Sequence, residues 1–443
     1  MISVIAPASK SVSHRMMLGA ALAKGESHLS HVLDSVDLER TRAVLCAAGA
    51  CITPCGAGEF RVQGMAGRPQ GGTEQQPCDC NVHESGTTCR LLTAVLAAGQ
   101  GFFAIHGAGR MHQRPIGALV EVLRHVGVAV QYTGQDLCPP LLLHTKGIAG
   151  GNVTIGLEES SQYLSGLLFA APLSKQGMCI TIGGKSIVSW PYVGLTLQAL
   201  ESFGIAFRVE SLEEGTWQEQ PWRSLHTVRP HALRIHIAPA VYRAGSYAVE
   251  GDWSGASYLL AAGAVHNQPV LVKNLRADSL QGDKAILDIL QRMGAEVQVQ
   301  AEGILVAPPA QGALQGISLD MNACPDLVPT VAVLAAFAQG TTHIRNVAHL
   351  RFKESDRIAA PAQELRTLGI QVDEHEDGLS VQGCAPRLPL VPAGTVLHSH
   401  GDHRIAMSLA LLGLAGRQPV LDDPSVVQKS FPTFWEVWRD IAS

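Results

Sequence analysis

Residues 92–105 read LTAVLAAGQGFFAI, an Ala- and Leu-rich segment that breaks at Gly99 and continues as an aromatic and aliphatic run. The first part is typical of a buried helix, and Phe102–Ile105 is typical of a strand. Similar turns into strands precede Val270–Val272 and Thr341–Ile344. The turns fall about 73 to 90 residues apart, at Gly25, Gly99, Gly177, Asn267, Gly340 and Gly416. The sequence therefore predicts an α/β protein built from six repeats.

A second recurring pattern is Leu-x-x-apolar-Gly followed by alternating apolar residues. It occurs at Gly49, Gly127, Gly204, Gly294 and Gly369. Glycine at the end of a helical segment is typical of a helix C-terminus, because glycine adopts the left-handed backbone conformation at little cost. Each repeat is therefore predicted to hold two helices and several strands.

The longest interval between turns, from Gly177 to Asn267, contains a polar, Trp-containing insert near Glu213–Pro230. This insert separates the first three repeats from the last three. We place the boundary close to Tyr247, which gives an N-terminal domain over residues 10–247 and a C-terminal domain over residues 248–443. Residues 1–9 are assigned to the C-terminal domain.

The composition favours a cytoplasmic protein that acts on small molecules. The 443 residues are 46% hydrophobic and carry a net charge of −5, which argues against a large nucleic-acid-binding surface. The longest apolar stretch, Ile405–Gly416, is too short to span a bilayer, and Met1–Pro7 lacks the charge that begins a secretory signal. The ten cysteines are expected to be reduced thiols.

Small polar residues mark the predicted start of the helix before each turn, at Ser11, Thr87, Ser160, Ser254, Asp326 and Asp402. These are N-cap residue types, and helix N-termini attract anions. Cations lie near these starts, namely Lys10, Arg15, Arg90, Arg110, Arg114, Lys353, Arg357, Arg404 and Lys429. Capping or a solvated surface charge explains each residue singly. Together they indicate small polyanionic substrates, because arginine binds carboxylate and phosphate in a bidentate manner.

Ordered motifs resemble those of the 5-enolpyruvylshikimate-3-phosphate synthase family. Residues 7–15, PASKSVSHR, resemble the family's opening signature, Ser85–Arg90 its Gly-Thr-x-x-Arg loop, and Arg114–Ile116 its Arg-Pro-Ile element. Further matches are Ser160-Ser161-Gln162, Ser189 with Tyr192, Pro325-Asp326, Arg351–Arg357, Asp402-His403-Arg404 and residues 429–432. They follow the family's order from residue 7 to residue 432. The resemblance implies two inside-out α/β domains, each of three βαβαββ-type repeats, with the active site in the cleft between them.

The resemblance also implies the reaction. The family transfers the enolpyruvyl group of phosphoenolpyruvate to the 5-hydroxyl of shikimate 3-phosphate and releases phosphate, in the shikimate pathway to chorismate and aromatic amino acids. It needs no metal and no other cofactor. We therefore expect the protein to bind the two small substrates and neither nucleic acid nor membrane. We also expect it to be a monomer.

Site residues follow from the matched motifs. The resemblance assigns shikimate 3-phosphate to Lys10, Ser11, Arg15, Ser160, Ser161, Gln162, Ser189, Tyr192, Asp326, His349 and Lys353. It assigns phosphoenolpyruvate to Lys10, Gly86, Arg114, Gln162, Arg357, Arg404 and Lys429. Asp326 is the candidate that orients and deprotonates the hydroxyl. Glu354 is the candidate that moves the methylene proton, assisted by Lys10 or Lys429.

Four positions depart from the family's usual residues. Ala8 stands where Gly is usual, Glu84 where Asn is common, Leu91 where many members carry Pro, and His349 where Asn is expected. Leu91 adjoins the phosphoenolpyruvate loop, so we expect it to weaken inhibition by glyphosate, the family's inhibitor. Gly86 leaves room for that inhibitor, which we expect to compete with phosphoenolpyruvate.

Three local patterns allow other chemistry. Residues 398–403, HSHGDH, fit the H-x-H-x-D-H pattern of zinc hydrolases, but too little chain follows for the rest of that fold. Cys78, Cys80, His83 and Cys89 have no recognised zinc spacing. Residues 183–186, GGKS, resemble part of a P-loop, yet Cys179 stands where its first Gly belongs.

Two rival functions are compatible with the motifs. One is the related enolpyruvyl transferase that acts on UDP-N-acetylglucosamine and usually carries a Cys shortly before its Arg-Pro. No Cys lies between Gly109 and Arg114. The other is an inactive homologue that only binds metabolites, against which the presence of Asp326, Glu354 and Lys429 argues.

Overall fold

The computed structural model describes residues 1–225, 228–310, 312–385, 391–392, 394–416 and 418–442. The chain divides into two compact units, residues 10–249 and residues 1–9 with 250–443. Both units combine α-helices with β-sheets. The α/β class predicted from the repeats is therefore confirmed.

The α-helices are α1 (Lys10–Leu22), α2 (Val36–Ala47), α3 (Gly86–Ala97), α4 (Gly117–His125), α5 (Gln162–Ala170), α6 (Pro191–Ser202), α7 (Trp253–Val265), α8 (Ile286–Arg292), α9 (Val328–Ala336), α10 (Ala359–Thr367), α11 (His403–Ala410) and α12 (Phe434–Ala442). The β-strands are β1 (Ile2–Ile5), β2 (Glu26–Ser30), β3 (Cys51–Gly56), β4 (Glu59–Gln63), β5 (Cys78–His83), β6 (Gln100–Gly107), β7 (Ala129–Tyr132), β8 (Leu141–Lys146), β9 (Gly151–Leu157), β10 (Met178–Ile187), β11 (Phe207–Glu213), β12 (Thr216–Glu219), β13 (Leu233–Ile237), β14 (Ser246–Ala248), β15 (Val270–Lys273), β16 (Glu296–Gln300), β17 (Gly303–Ala307), β18 (Leu314–Gln315), β19 (Ser318–Asp320), β20 (Ala338–Gln339), β21 (Thr341–Arg345), β22 (Val372–His375), β23 (Gly378–Gln382), β24 (Val396–Leu397) and β25 (Val420–Leu421). The strands predicted after Gly99, Asn267 and Gly340 are confirmed as β6, β15 and β21.

Residues 10–249 form three sheets, with strand orders β14-β2-β4-β3, β5-β6-β8-β7 and β12-β11-β13-β10-β9. Each sheet contains one parallel pair, such as β5 with β6, and its remaining pairs are antiparallel. Strand β14 lies parallel to β2, with Ser246 opposite His28. Because β14 continues to Ala248, this unit ends slightly beyond Tyr247, where the sequence analysis places the boundary.

The other unit repeats the same sheet pattern. Its four-stranded sheets have the orders β1-β15-β17-β16 and β19-β21-β23-β22, and two parallel pairs, β18 with β20 and β24 with β25, complete its described strands. Strand β1 lies parallel to β15, with Ile2 opposite Val270. This pairing joins the first residues of the chain to the unit formed by residues 250–443.

Helices form the interior of each unit. Every residue of α9 is buried, as is nearly all of α7, whereas β4 and β19 alternate buried and exposed residues. Sheets with one solvated face and helices apolar on all sides give the inside-out arrangement of layers. No helix in the described ranges has both the length and the apolar character needed to cross a membrane.

The helix C-termini were predicted correctly, whereas the helix N-termini were predicted only in part. The glycines of the Leu-x-x-apolar-Gly pattern all have left-handed φ angles, of 112° at Gly49, 97° at Gly127, 74° at Gly204, 98° at Gly294 and 78° at Gly369, so the prediction of C-terminal glycines is confirmed. Among the predicted N-caps, Asp402 is confirmed, with its side chain accepting from the N–H of Arg404.

Other predicted N-caps are wrong. Ser85 caps α3 in place of Thr87, and Asp252 caps α7 in place of Ser254, each accepting from a backbone N–H of the first turn. Ser11 lies inside α1. Asp326 belongs to the single 3-10 turn Pro325–Leu327 that precedes α9.

Candidate active site

In the unit formed by residues 10–249, Lys10 begins helix α1 and forms a buried ion pair. Its Nζ lies 2.6 Å from Asp37 Oδ2, an oxygen of an acidic residue in the first turn of α2. A short ion pair shielded from water fixes the ammonium group in place. Asp37 was missed from the sequence, because an acid in a first helical turn is already explained by the helix dipole.

A chain of hydroxyl groups connects this ion pair to the start of α3. Thr88 Oγ1 donates to the Asp37 carbonyl at 3.3 Å and lies 2.7 Å from both Ser85 Oγ and Thr41 Oγ1. His14 Nδ1 lies 2.9 Å from Thr41 Oγ1. These buried contacts join α1, α2 and α3.

Burial lowers the pKa of His14 to about 3, with Asp37 opposing the shift and Lys10 and Arg15 adding to it. Because the unfolded chain binds a proton near the ordinary pKa of 6.5 and the folded chain does not, stability falls as the pH drops below 6.5. We expect His14 to account for about 2 kcal/mol of lost stability between pH 7 and pH 5. Urea unfolding of wild type and His14→Asn at both pH values measures this difference.

The matched control is His125→Asn, which removes an exposed imidazole on α4. It should leave the acid-induced loss of stability as in the wild type. An equal loss between pH 7 and pH 5 in wild type and His14→Asn would contradict the assignment to His14.

Gln162 and Arg90 join the start of α5 to α3. Gln162 Nε2 donates to Thr87 Oγ1 at 2.9 Å, and its Oε1 accepts from Arg90 Nη1 at 3.2 Å. Arg90 also donates to the Pro115 carbonyl at 3.1 Å, and its guanidinium lies 5.5 Å from the ring centre of Tyr163. The Gln162 side chain is thereby oriented from both ends of its amide. Arg90 is one of the cations noted in the sequence but was not assigned to a substrate.

Arg114 lies directly against Gly86. A Cβ built on Gly86 would overlap the Arg114 guanidinium, and Arg114 Nη1 donates to the Glu84 carbonyl at 3.2 Å. Arg114 is buried, with 7% of its surface exposed. Glycine at position 86 therefore gives the guanidinium its place beside the start of α3.

Gly86→Ala is expected to displace the Arg114 guanidinium, because the overlapping atoms belong to the far end of a long side chain that can move. Folding stability should change little. The KM for phosphoenolpyruvate, the substrate that the resemblance assigns to Arg114, should rise by about tenfold or more, the usual effect of losing a charged hydrogen-bonding group. Steady-state kinetics and thermal melting measure both quantities. Gly56→Ala is the control, because a Cβ there meets nothing closer than 3.9 Å. An unchanged KM in Gly86→Ala would contradict this role of Gly86.

Arg15 joins α1 to the first turn of α6. Its Nε donates to Thr196 Oγ1, its Nη1 to the Ser11 carbonyl and its Nη2 to the Tyr192 carbonyl, each at 2.8 Å. Burial lowers the pKa of Arg15 to about 10, so it remains a cation at neutral pH. The guanidinium thus brings together Ser11 and Tyr192, two residues that the sequence assigns to one substrate.

Three serines assigned to the same substrate are buried in this unit. Ser160 Oγ accepts from the N–H of Gln162 at 3.2 Å, and Ser161 is the residue that precedes α5. Ser189 precedes α6 and has a left-handed φ of 56°. Such a backbone in a residue with a Cβ is uncommon and concentrates at ligand sites.

In the unit formed by residues 1–9 and 250–443, Asp326 lies between two arginines. Its Oδ1 accepts from Arg357 Nη1 at 2.9 Å, and its Oδ2 accepts from Arg404 Nη2 at 2.7 Å. The arginines come from the segment before α10 and from α11. The carboxylate therefore sets the spacing of two guanidinium groups.

Asp402 holds Arg357 from the other side. Its Oδ2 accepts from Arg357 Nε at 2.7 Å and its Oδ1 from Nη2 at 3.1 Å, a bidentate pair. Burial alone would lower the pKa of Arg357, but Asp402, Glu354 and Asp326 outweigh burial and raise it. Asp402 was predicted as a helix cap and was missed as a partner of a site arginine.

Glu354 is surrounded by positively charged or protonatable groups. Its Oε2 lies 2.9 Å from His403 Nδ1, 3.3 Å from Lys429 Nζ and 3.7 Å from Arg357 Nη2. Burial would raise the pKa of Glu354, but Lys429, His403 and Arg357 together hold it well below its usual range. The sequence named Lys10 or Lys429 as the group that assists Glu354, and Lys429 is the one that contacts it in this unit, whereas the contact with His403 was missed.

His349 lies in the one-turn helix Ala348–Phe352 and is buried. Burial, assisted by Lys353 and opposed by Asp326, lowers the pKa of His349 to about 3. Its Nε2 has no hydrogen-bond partner within the described parts of the chain. The imidazole is therefore uncharged at neutral pH and keeps one ring nitrogen for a further contact.

The histidine-rich segment 398–403 does not converge on one point. His398 Nδ1 lies 3.1 Å from Asp422 Oδ2, and His400 Nε2 lies 2.7 Å from Glu364 Oε1. Glu354, Asp402 and His403 do offer ligand atoms within 4.8 Å of one another. Arg357 and Lys429 already balance these carboxylates, so the arrangement is an ion-pair network and does not match a zinc site.

The other local patterns are also explained. All ten cysteines carry free thiols, and Asp79, between Cys78 and Cys80, pairs with His106 at 2.6 Å. Lys185 lies within strand β10 and its N–H donates to Glu158. A P-loop requires a turn before a helix at this point, so the structure agrees with the sequence, in which Cys179 already argues against a P-loop.

The chain matches the EPSP synthase (3-phosphoshikimate 1-carboxyvinyltransferase) family over residues 2–438. It is similar to the 3-phosphoshikimate 1-carboxyvinyltransferases of Thiobacillus denitrificans, 40% identical over 98% of this chain and 96% of that one, and of Nitrosomonas europaea, 39% identical over 98% and 95%. Among solved structures, an EPSP synthase from Acinetobacter baumannii superposes with a TM-score of 0.76 at 25% identity, covering 99% of this chain and 94% of that one. The enolpyruvyl transferase NikO from Streptomyces tendae shares the fold, with a TM-score of 0.71 at 18% identity over 99% and 94%.

Proposed function

Because this chain belongs to the EPSP synthase family, we propose that it transfers the enolpyruvyl group of phosphoenolpyruvate to the 5-hydroxyl of shikimate 3-phosphate, with release of phosphate. The observation that carries the proposal is Asp326 bonded to both Arg357 and Arg404. This arrangement places a base beside two groups that bind carboxylate and phosphate. The product belongs to the shikimate pathway to chorismate and aromatic amino acids.

We propose that the first step is addition of the substrate hydroxyl to the carbon of phosphoenolpyruvate that carries the phosphate. Asp326 accepts the hydroxyl proton, and Glu354 and its proton-bearing neighbours deliver a proton to the methylene carbon, which becomes a methyl group. In the tetrahedral intermediate the bond between this carbon and the phosphate oxygen then breaks, and phosphate leaves with the bonding electrons. The group that protonated the methylene carbon takes one proton back from the methyl group, which restores the double bond, and the hydroxyl proton held by Asp326 leaves with the phosphate.

Glu354 suits a proton-transfer role because it contacts both Lys429 and His403. Because Lys429 and His403 hold the pKa of Glu354 below its usual range, Glu354 is ionised at neutral pH, and these two neighbours are the source of the proton that it passes to the reacting carbon. Lys10 is the second proposed proton carrier. Its pairing with Asp37 keeps the ammonium group in place.

The proposed binding residues fall into two sets. Phosphoenolpyruvate is bound by Lys10, Gly86, Arg114, Gln162, Arg357, Arg404 and Lys429. Shikimate 3-phosphate is bound by Lys10, Ser11, Arg15, Ser160, Ser161, Gln162, Ser189, Tyr192, Asp326, His349 and Lys353. Residues of both units are proposed to serve the same reaction. The buried His349 stands where the family usually has Asn.

The related transfer to UDP-N-acetylglucosamine is the alternative that the site makes less favourable. The 3-10 turn Gly109–Gln113 that precedes Arg114 contains no cysteine, whereas that reaction's enzymes usually have one there. Ser160 and Ser161 supply hydroxyl groups suited to a polyhydroxylated ring. We further propose a cytoplasmic monomer that needs no metal.

Phosphate release from purified protein tests the function. Shikimate 3-phosphate with phosphoenolpyruvate should give phosphate, in the presence of a chelator as well as in its absence, and UDP-N-acetylglucosamine should not replace the first substrate. Release only with the nucleotide sugar would assign the protein to the related reaction. Binding of shikimate 3-phosphate without any release would instead indicate an inactive homologue.

A further inference from the structure

The turn Ser189–Tyr192 spans the start of α6, and its first and last residues are proposed to bind shikimate 3-phosphate. The left-handed backbone of Ser189 persists only where its surroundings hold it. Within the turn, the N–H of Tyr192 donates to the Ser189 carbonyl at 3.2 Å. The contacts that stabilise this turn therefore help to position Ser189 and Tyr192.

Trp190 lies between these two residues and is bonded to a distant segment. Its indole Nε1–H donates to the backbone carbonyl of Leu225 at 2.8 Å, across 35 positions of sequence. Its own carbonyl accepts from the N–H of Val193 at 2.8 Å. The indole thus connects the start of α6 to the end of the segment 216–225, which we call the brace.

The brace is also fixed to the far end of α6. Trp222 Nε1–H donates to Glu201 Oε1 at 2.8 Å, and Arg223 makes two bonds to the same carboxylate at 3.2 and 2.6 Å. The Arg223 guanidinium stacks 4.2 Å over the Trp222 ring. Strand β12, which begins the brace, pairs with β11. The brace therefore contacts α6 near both of its ends and is itself held in a sheet.

The brace has no counterpart in the other sheets of this unit. Those sheets have four strands, and β12 is the fifth strand of the third sheet. It arises from the insert that lengthens the third repeat. Its bond to the Ser189–Tyr192 turn passes through the indole of Trp190.

We propose that Trp190 is a positioning residue, through which the brace holds the Ser189–Tyr192 turn in the conformation that binds shikimate 3-phosphate. This inference rests on the proposed function. It adds that Trp190 controls the affinity for shikimate 3-phosphate, one of the two substrates. Because Trp190 acts through Ser189 and Tyr192, its loss weakens binding of shikimate 3-phosphate. The affinity for phosphoenolpyruvate and the turnover at saturation depend on other groups and stay unchanged.

Trp190→Phe removes the indole N–H and keeps an aromatic ring. We expect the KM for shikimate 3-phosphate, and its Kd by calorimetry, to rise by up to about tenfold, as for loss of one hydrogen bond. The kcat and the KM for phosphoenolpyruvate should stay within about twofold of wild type. Trp217→Phe is the control, because Trp217 lies in the brace but its ring stacks with Arg234.

Arg223→Ala removes the attachment of the brace to Glu201 at the far end of α6, at an exposed position where folding is not at risk. It should raise the KM for shikimate 3-phosphate by about threefold with the same selectivity. Equal changes in all kinetic constants, or no change in either variant, would overturn the proposal about Trp190. The proposed function would still stand as long as the wild-type protein releases phosphate. Wild-type protein that neither binds shikimate 3-phosphate nor releases phosphate overturns both.

Discussion

Asp326→Asn is expected to lower kcat by about three orders of magnitude, the middle of the range for loss of a positioned general base. The amide has the size of the carboxylate but cannot accept the hydroxyl proton. It also presents only one acceptor oxygen, so one of the two guanidinium groups, Arg357 or Arg404, loses its hydrogen bond to residue 326. Both effects act on the reaction, and stopped-flow or steady-state phosphate release measures their sum.

Folding should survive this substitution, because Asp402 retains its bidentate hold on Arg357. The control is Asp320→Asn in the same unit, an exposed position whose carboxylate accepts from Asn346 at 2.7 Å. It should leave kcat as in the wild type. A kcat of Asp326→Asn within about tenfold of wild type would remove Asp326 as the base and leave it the role of spacing two arginines.

Glu354→Gln is expected to keep substrate binding and lose most turnover, with a fall in kcat of about two to three orders of magnitude. The neutral amide cannot carry the methylene proton. Because the change removes a negative charge beside Lys429 and Arg357, the affinity for anionic substrates should be equal or higher. Calorimetry with shikimate 3-phosphate and single-turnover kinetics separate binding from chemistry.

Glu374→Gln is the matched control, because Glu374 lies on β22 and pairs with Arg351 at the surface. Its kinetic constants should equal those of the wild type. Near-normal turnover in Glu354→Gln would exclude Glu354 from proton transfer. A large loss of affinity would instead show that the carboxylate organises the cations around it.

The repeats, the strands and the helix C-termini could be predicted from the sequence because each depends on a few adjacent residues. A glycine in the left-handed region has few substitutes, so Gly127 or Gly369 marks a helix end wherever it follows an apolar segment. Helix starts were harder to place. Near α3 the residues Ser85, Thr87 and Thr88 are all capping types, and Thr87 is instead bonded to Gln162 from another helix.

The site was predicted through its motifs, but the pairing of its charges could not be. Asp37, Asp402 and His403 contact proposed site residues through tertiary contacts that no local spacing reveals. The cations could be identified from their positions near the predicted helix starts, but only the fold shows which carboxylate pairs with each of them. The left-handed Ser189 was equally hidden, because serine has no sequence signature for that backbone conformation.

The pairing of β1 with β15 determines when the first sheet of its unit can form during synthesis. Ile2 is synthesised before its neighbour in the sheet, Val270, which follows only after all of residues 10–249. Strand β1 therefore stays unpaired while an entire unit is made. That unit is itself completed late, because β2 pairs with β14. Contacts so distant along the chain slow folding, so a nascent chain that stalls before residue 270 exposes β1 as an unpaired strand.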